Sequence, residues 1–252
     1  MLQGYEVEIR NETHRANLLR DARYFHLKGL EQRLVACEKT YNLNRQQNEI
    51  LMRLEDIRQS GVGFAPDPAA GADPGLTAGS VSYARPYTDD ATATYILILE
   101  TSTTESTTLH LPPSPPRLPH LLTAHAAFHA DTRRRMTSLF NIVASKMNLP
   151  PTHPLSLTHT QPRVKVRIDS ACALTVDGKE VELGTDNEQF PPNTNRGSAA
   201  LEWVVRRAQW RVRVEAAGDE EAELHVVLEA VRIDATTKER ARNATRGFLG
   251  GA

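Results

Sequence analysis

Glu202-Trp203-Val204-Val205-Arg206-Arg207-Ala208-Gln209-Trp210-Arg211-Val212-Arg213-Val214-Glu215 alternates apolar and charged side chains along much of its length. A period of two puts successive side chains on opposite faces of a strand. Val204, Trp210, Val212 and Val214 are expected to share a buried face, with Arg207, Arg211 and Arg213 on the other. Leu224 to Asp234 forms a second long strand, and the acidic turn Gly218-Asp219-Glu220-Glu221 joins the two as a hairpin. Upstream, Val164-Lys165-Val166-Arg167-Ile168 alternates in the same way. Ala173-Leu174-Thr175-Val176 and Lys179-Glu180-Val181-Glu182-Leu183 flank Asp177-Gly178, which suits the positive-φ positions of a type I′ hairpin turn. The last third is therefore β-rich, and residues 235–252 read as a basic tail with helical character.

Proline divides the rest. Residues 1–65 contain none, and residues 65–94, with Pro66, Pro68, Pro74 and Pro86 among Gly and Ala, read as a flexible loop. Residues 101–119 are mostly Thr, Ser and Pro and read as an exposed arm, because so few apolar groups cannot offset the entropy of ordering them. Such a Pro-rich arm could also dock in an aromatic-lined groove. Leu149 to Pro162 is a third break. Between the breaks, residues 13–25 and 27–36 are expected as two short helices, capped at Thr13 and interrupted near Gly29. Residues 49–57 alternate as a half-buried strand, and Tyr95-Ile96-Leu97-Ile98-Leu99 reads as a strand buried on both faces. Residues 119–147 suit one or two helices. The fold class is α+β: a helix pair at 1–40, a connecting strand at 41–64, the loop at 65–94, and a β-rich domain at 95–234 carrying a long interrupted helical insert.

Composition narrows the function. The chain has 252 residues, 40% hydrophobic and 24% charged, which is ordinary for a globular protein. With 30 basic against 31 acidic residues, bulk charge gives no reason to expect nucleic acid or anionic lipid as a partner. No run of about eighteen apolar residues predicts a membrane span, and the N-terminus lacks the pattern of a secretory signal. Cys37 and Cys172, isolated and without partners at metal spacing, suit reduced thiols in the cytoplasm or nucleus.

Catalytic patterns are missing. His125 and His129 would share a face if residues 119–147 were helical, but no Glu follows His125, and a third ligand such as His120 is only conceivable. Ser60-Gly61-Val62-Gly63 has neither a nucleophile-elbow frame nor a following helix. The carboxylate pairs Asp89-Asp90 and Asp219-Glu220-Glu221 sit in turn-like context. Arg133-Arg134-Arg135 would spread around a helix. No enzyme, cofactor or metal site is expected. The strand carrying Arg207, Arg211 and Arg213 could line a phosphate backbone, yet Glu202, Glu215 and the acidic turn favour cross-strand ion pairs. A nucleic-acid module built on residues 203–215, or an enzyme with a site scattered in the β domain, stay as alternatives.

The helical start carries a further pattern. Asn17-Leu18-Leu19-Arg20-Asp21-Ala22-Arg23-Tyr24-Phe25-His26-Leu27-Lys28-Gly29-Leu30 resembles the C-terminal helix pair of a BTB/POZ domain of the potassium-channel-tetramerisation (KCTD) type, through Ala22, Tyr24, Phe25, Leu27 and Leu30. Tyr41 to Arg45, Ile50 to Arg58, and Glu202 to Arg213 look like a fungal subgroup of those proteins, in which the BTB segment leads into a β-rich domain. The resemblance begins at Asn17, so the chain is expected to hold an N-terminally incomplete BTB fold. It implies a protein-interaction adaptor that binds itself and other proteins, a cullin-3 ubiquitin ligase among them. Docking is expected at Leu18, Tyr24, Phe25 and Leu30, and at the Arg207, Arg211 and Arg213 face around Trp203 and Trp210.

Overall fold

The computed structural model describes residues 8–67, 78–90, 92–102, 107–112, 120–149, 155, 163–184, 201–216 and 224–247. Its elements are, in chain order, helices α1 (Glu12–Tyr24) and α2 (Lys28–Leu34), then strands β1 (Cys37–Asn42) and β2 (Gln47–Arg53). Two short 3-10 turns, Leu54–Asp56 and Gln59–Gly61, lead to β3 (Val62–Pro66), β4 (Gly79–Ala84), β5 (Thr94–Thr101), β6 (Thr107–His110) and β7 (Leu121–Phe128). Helix α3 (Ala130–Lys146) precedes β8 (Arg163–Asp169), β9 (Ala173–Val176), β10 (Lys179–Val181), β11 (Glu202–Ala216), β12 (Leu224–Thr237) and α4 (Lys238–Gly247). The class is α+β and strand-rich.

The long β11–β12 hairpin is the spine. Along its free edge β11 pairs in turn with β6 (202–205), β5 (208–211) and β4 (213–214), all antiparallel. The free edge of β12 takes β8 and then β9, both in parallel. Because β6 pairs β7 and β7 pairs β8, the ladder β11–β6–β7–β8–β12 returns to β11 and closes. Closure leaves no free edge in that part of the sheet. The inward residues of β7 (Leu122, Ala124, Ala126, Phe128) and β8 (Val164, Val166, Ile168) are buried. So are Met136, Leu139, Phe140 and Val143, which recur at helical spacing along α3. These residues share one core with Ile50, Leu97 and Leu99 of the parallel pair β2–β5.

Local signals account for several elements. Asn11 caps α1 by accepting the His14 N–H at 2.8 Å, two residues ahead of the expected Thr13. The α1–α2 break falls at His26, in the gap between the expected helices 13–25 and 27–36, and not at Gly29. His26 takes φ +54, and the Leu27 N–H donates to the Ala22 carbonyl at 2.8 Å while the His26 N–H donates to Arg23, the Schellman pattern. Gly29 lies inside α2 against Tyr87. Asp177 and Gly178, at φ +54 and +81, form the expected turn between β9 and β10.

Other expectations are corrected. Residues 121–128 are strand, not helix, because pairing with β6 and β8 on both edges overrides the helix propensity of Ala124, Ala126 and Ala127. Residues 79–84, within the expected flexible loop 65–94, form the buried strand β4 between β3 and β5. Residues 107–110, within the expected arm 101–119, form β6, while Pro113, Pro115 and Pro116 lie outside the described residues. The strand expected at 49–57 ends at Arg53, and β1 was not anticipated. The acidic turn 218–221 also lies outside the described residues.

Gly61 allows β3 and β4 to approach. A Cβ there would sit 2.5 Å from the Tyr83 ring and 2.8 Å from the Ala84 carbonyl oxygen. Gly61→Ala is expected to cost about 1–3 kcal/mol of stability through overpacking. A urea titration of the pair of proteins checks this, and an unchanged midpoint would contradict the close packing.

Candidate functional site

The α1–α2 corner is built by the Schellman turn, which projects the residues just before and after it. Tyr24 is 77% exposed and Phe25 65% exposed, their rings stacked edge to face with centroids 5.0 Å apart. Leu27 is also exposed. Leu18 and Leu30, expected beside them, are half-buried, and Ala22 is buried. Arg23 anchors the corner by bridging Glu31 at 3.2 Å and Asp56 at 3.1 Å.

The second expected surface is reorganised. Trp203 and Trp210 are fully buried in the core rather than presented, a correction to the sequence reading. Trp210 falls on the face that alternation buries, whereas Trp203 is turned inward by the first of two β-bulges. Val205 pairs with Ala235 and Arg207 with Asp234, so Arg206 is an extra residue on β11; Gln209 pairs with Arg232 and Trp210 with Ala230, so Val231 is extra on β12. The first bulge inverts the parity of the strand. Trp203 and Val205 point inward before it, and Ala208, Trp210, Val212 and Val214 after it. Val204 therefore does not share the buried face expected of it and is half-buried.

Arg207, Arg211 and Arg213 do share the opposite face, and each is occupied. Arg207 donates from Nε and Nη2 to Glu100 Oε2 at 2.8 and 2.6 Å. Arg211, buried, holds Glu49 at 2.5 Å and Glu229 at 3.3 Å. Arg213 pairs with Asp67 and lies 3.4 Å from Glu215 and 3.5 Å from Glu229. Arg167 pairs with Glu215 and Glu229, and Arg45 with Glu229 at 3.0 Å. Arg45, Arg167, Arg207, Arg211 and Arg213 thus face Glu49, Asp67, Glu100, Glu215 and Glu229, and the formal charges cancel.

This mutual neutralisation moves the proton equilibria. Burial pushes the Glu49 carboxyl up, but hydrogen bonds from Gln47, Arg211 and Asn42 and the Arg211 charge outweigh it, leaving Glu49 below its ordinary value. Arg213 is held down by burial, yet Asp67, Glu229 and Glu215 raise it above its ordinary value. A face so compensated attracts a polyanion far less than its arginine count suggests.

The histidines do not form the helical pair considered from sequence. His125 lies on β7, facing outward across from His110 and Lys165, and His129 follows the strand at the N-cap position of α3, with Nε2 3.2 Å from Thr108 Oγ1. Among the described residues no group of three His, Cys, Asp or Glu side chains is placed to hold a metal ion. Cys37 and Cys172 are free thiols; burial, with Asp169, pushes Cys172 up to about 12. Among the described residues no helix is long and apolar enough to cross a membrane.

One concave feature was not anticipated. A cavity of about 330 Å³ opens between α2, the 3-10 turns and β4. Its walls come from three separated stretches of chain, including Lys28, Met52, Arg58, Tyr83, Arg85 and Tyr87. No spacing motif links them, so no sequence signal could have assembled the site.

The fold is thus an α+β sheet protein with an exposed aromatic corner, a neutralised arginine face and a cavity whose wall carries Lys28, Arg58 and Arg85 beside Glu31 and Asp56. A Saccharomyces cerevisiae protein described as uncharacterized is 30% identical over 74 residues, 29% of this chain. The match spans 15% of that protein's length. No family model matches the chain, and no solved structure matches it.

Proposed function

We propose that the chain is a non-enzymatic interaction module of the BTB/POZ tetramerisation type, associating with a second copy of itself and docking partner proteins through the α1–α2 corner. The observation that carries this reading is the exposed edge-to-face pair Tyr24 and Phe25. Large aromatics are usual anchors of protein interfaces, because each buries much area for little lost side-chain freedom. The backbone beside the pair is anchored: Ala22 is buried, and Arg23 is tied to Glu31 and Asp56. A rigid anchor loses little entropy on docking. The KCTD resemblance of residues 17–30 supports the same reading and names a cullin-3 ubiquitin ligase as a partner class. The compensated face of β11 favours neither the nucleic-acid alternative nor a catalytic one.

Light scattering on a sizing column tests the self-association. The chain should elute above the 28.0 kDa of one copy, and Tyr24→Ser with Phe25→Asp should return it to that mass with an unchanged circular dichroism spectrum. Losing one anchoring aromatic is worth about 2–4 kcal/mol of association, on the order of a hundredfold in Kd. A chain that stays monomeric at high concentration, or a double variant of unchanged mass, would sink the proposal.

A further inference from the structure

We infer that the cavity between α2 and β4 binds a small organic anion, a carboxylate or phosphate monoester carried on an apolar or aromatic body. The argument begins with charge. Among the described residues four charged side chains are buried: Glu49, Arg85, Glu100 and Arg211. Three have partners of opposite sign, Glu49 with Arg211 and Glu100 with Arg207. Arg85 has none: among the described residues no carboxylate lies within 4.0 Å of its guanidinium. Its guanidinium donates to the Cys37 sulfur at 2.9 Å and to the Gln32 carbonyl oxygen, and neither is a carboxylate. A guanidinium has five N–H donors, so donors remain for a ligand. A buried charge without a counter-charge is costly, and an anion entering the cavity would remove that cost.

The neighbouring ions do not supply the missing charge. Arg23 bridges Glu31 and Asp56, and Arg58 holds Glu31 at 2.6 Å, so those two carboxylates are already matched by two guanidiniums. Arg85 and Lys28 remain in excess on the cavity wall. The Tyr83 hydroxyl accepts the Arg58 N–H at 3.3 Å, which leaves its own proton to donate. Burial holds that hydroxyl protonated, since it raises the Tyr83 pKa against the lowering effect of Arg58 and Arg85.

The rest of the wall suits an apolar body. Val35, Met52 and the Tyr83 ring are buried and line the cavity. Tyr87 stands half-exposed on the wall with the Lys28 ammonium 5.8 Å from its ring centroid, and its backbone N–H is fixed by the Gln32 side chain at 3.0 Å. The volume is at the small end of the range for ligand pockets, enough for one ring or short chain with a single charged head. Neither Tyr24 nor Phe25 lines this cavity, so the interface variants leave its wall residues unchanged.

Calorimetric titration of the full chain with phenyl phosphate, phenylacetate, benzyl alcohol and inorganic phosphate tests the inference. Phenyl phosphate or phenylacetate should bind saturably at one site per chain, and whichever binds more tightly identifies the head group. Benzyl alcohol and inorganic phosphate should each bind at least tenfold more weakly, because each lacks half of the recognised chemistry. Arg85→Gln and Lys28→Glu should each weaken binding of the better anion by tenfold or more, while Arg206→Gln on β11 should not. Lys28 is solvent-exposed, so that variant reads the site even if the Arg85 variant does not fold. Absence of saturable binding by both anions, equal binding of benzyl alcohol, or undiminished binding by Lys28→Glu would each overturn the assignment.

Discussion

Trp210→Ala is expected to lower the free energy of unfolding by about 3–5 kcal/mol, a large share of the stability of an ordinary domain. Trp210 is fully buried. Its strand position pairs with Leu99 of β5 on one edge and with Ala230 of β12 on the other. The ring therefore sits where three strands meet, beside the second bulge, and neighbouring backbone held in ladders on both edges cannot collapse into the space it leaves. A cavity adds to the lost transfer energy. The indole N–H donates to Thr101 Oγ1 at 3.1 Å, so the alanine also strands a buried hydroxyl. Trp210→Phe keeps most of the packing and loses that bond, and should cost clearly less than the alanine. Urea denaturation followed by circular dichroism gives both values. A loss below about 1 kcal/mol for the alanine would mean that this junction is not packed as described.

Glu49→Ala should be nearly as severe, at about 3 kcal/mol, because it removes the nearer partner of buried Arg211 and leaves only Glu229 at 3.3 Å. Replacing both partners, Glu49→Leu with Arg211→Met, should recover most of the loss, since no charge then remains to be solvated. The pair also sets a pH dependence. In the unfolded chain Glu49 titrates near the ordinary glutamate value of about 4.3. In the folded protein the bonds from Gln47 and Arg211 hold it lower. The stabilisation is therefore complete above that ordinary value and is lost as pH falls through the folded value. Glu202 is lowered too, first by its bond from Lys238, and adds to the same acid limb. Melting temperature measured from pH 7 downward should fall less steeply for Glu49→Gln than for the unaltered chain. Parallel curves would show that the Arg211 pair contributes nothing to acid sensitivity.

The regions where sequence reasoning succeeded and failed differ in one physical respect. Asp177-Gly178 specified its turn locally, because positive φ at both central positions restricts the residue choice. The helix pair 12–34, the apolar run of β5 and the two long strands β11 and β12 were also legible from periodicity within a dozen or so neighbours. Residues 121–128 were not. Leu122, Ala124, Ala126 and Phe128 do alternate, but the alanines favour helix until β6 and β8 supply hydrogen bonds on both edges. β4 was hidden for a similar reason: Gly79 and its proline-rich approach read as linker, and only β3, β5 and β11 make it a strand.

Of the nine side chains expected to meet partners, Tyr24 and Phe25 are exposed as anticipated, whereas Trp203 and Trp210 are core and Arg207, Arg211 and Arg213 are neutralised. Their strand was read correctly, and so was the facing of Trp210 and the three arginines, but the facing of Trp203 and Val204 was not. A one-residue bulge leaves no mark in a hydrophobic pattern that stays apolar on either side of it, yet it turns every later side chain over. Which strand each arginine meets depends on Glu49, Asp67, Glu100 and Glu229 arriving from distant parts of the chain. The cavity at Arg85 has the same origin. Its charge imbalance exists only once α2, the 3-10 turns and β4 are packed together. Propensity, turn chemistry and periodicity act over a few residues and therefore established the element types and the α+β class. Strand order, bulge position and charge pairing arise from contacts between distant segments, and they decided which surfaces this protein can offer.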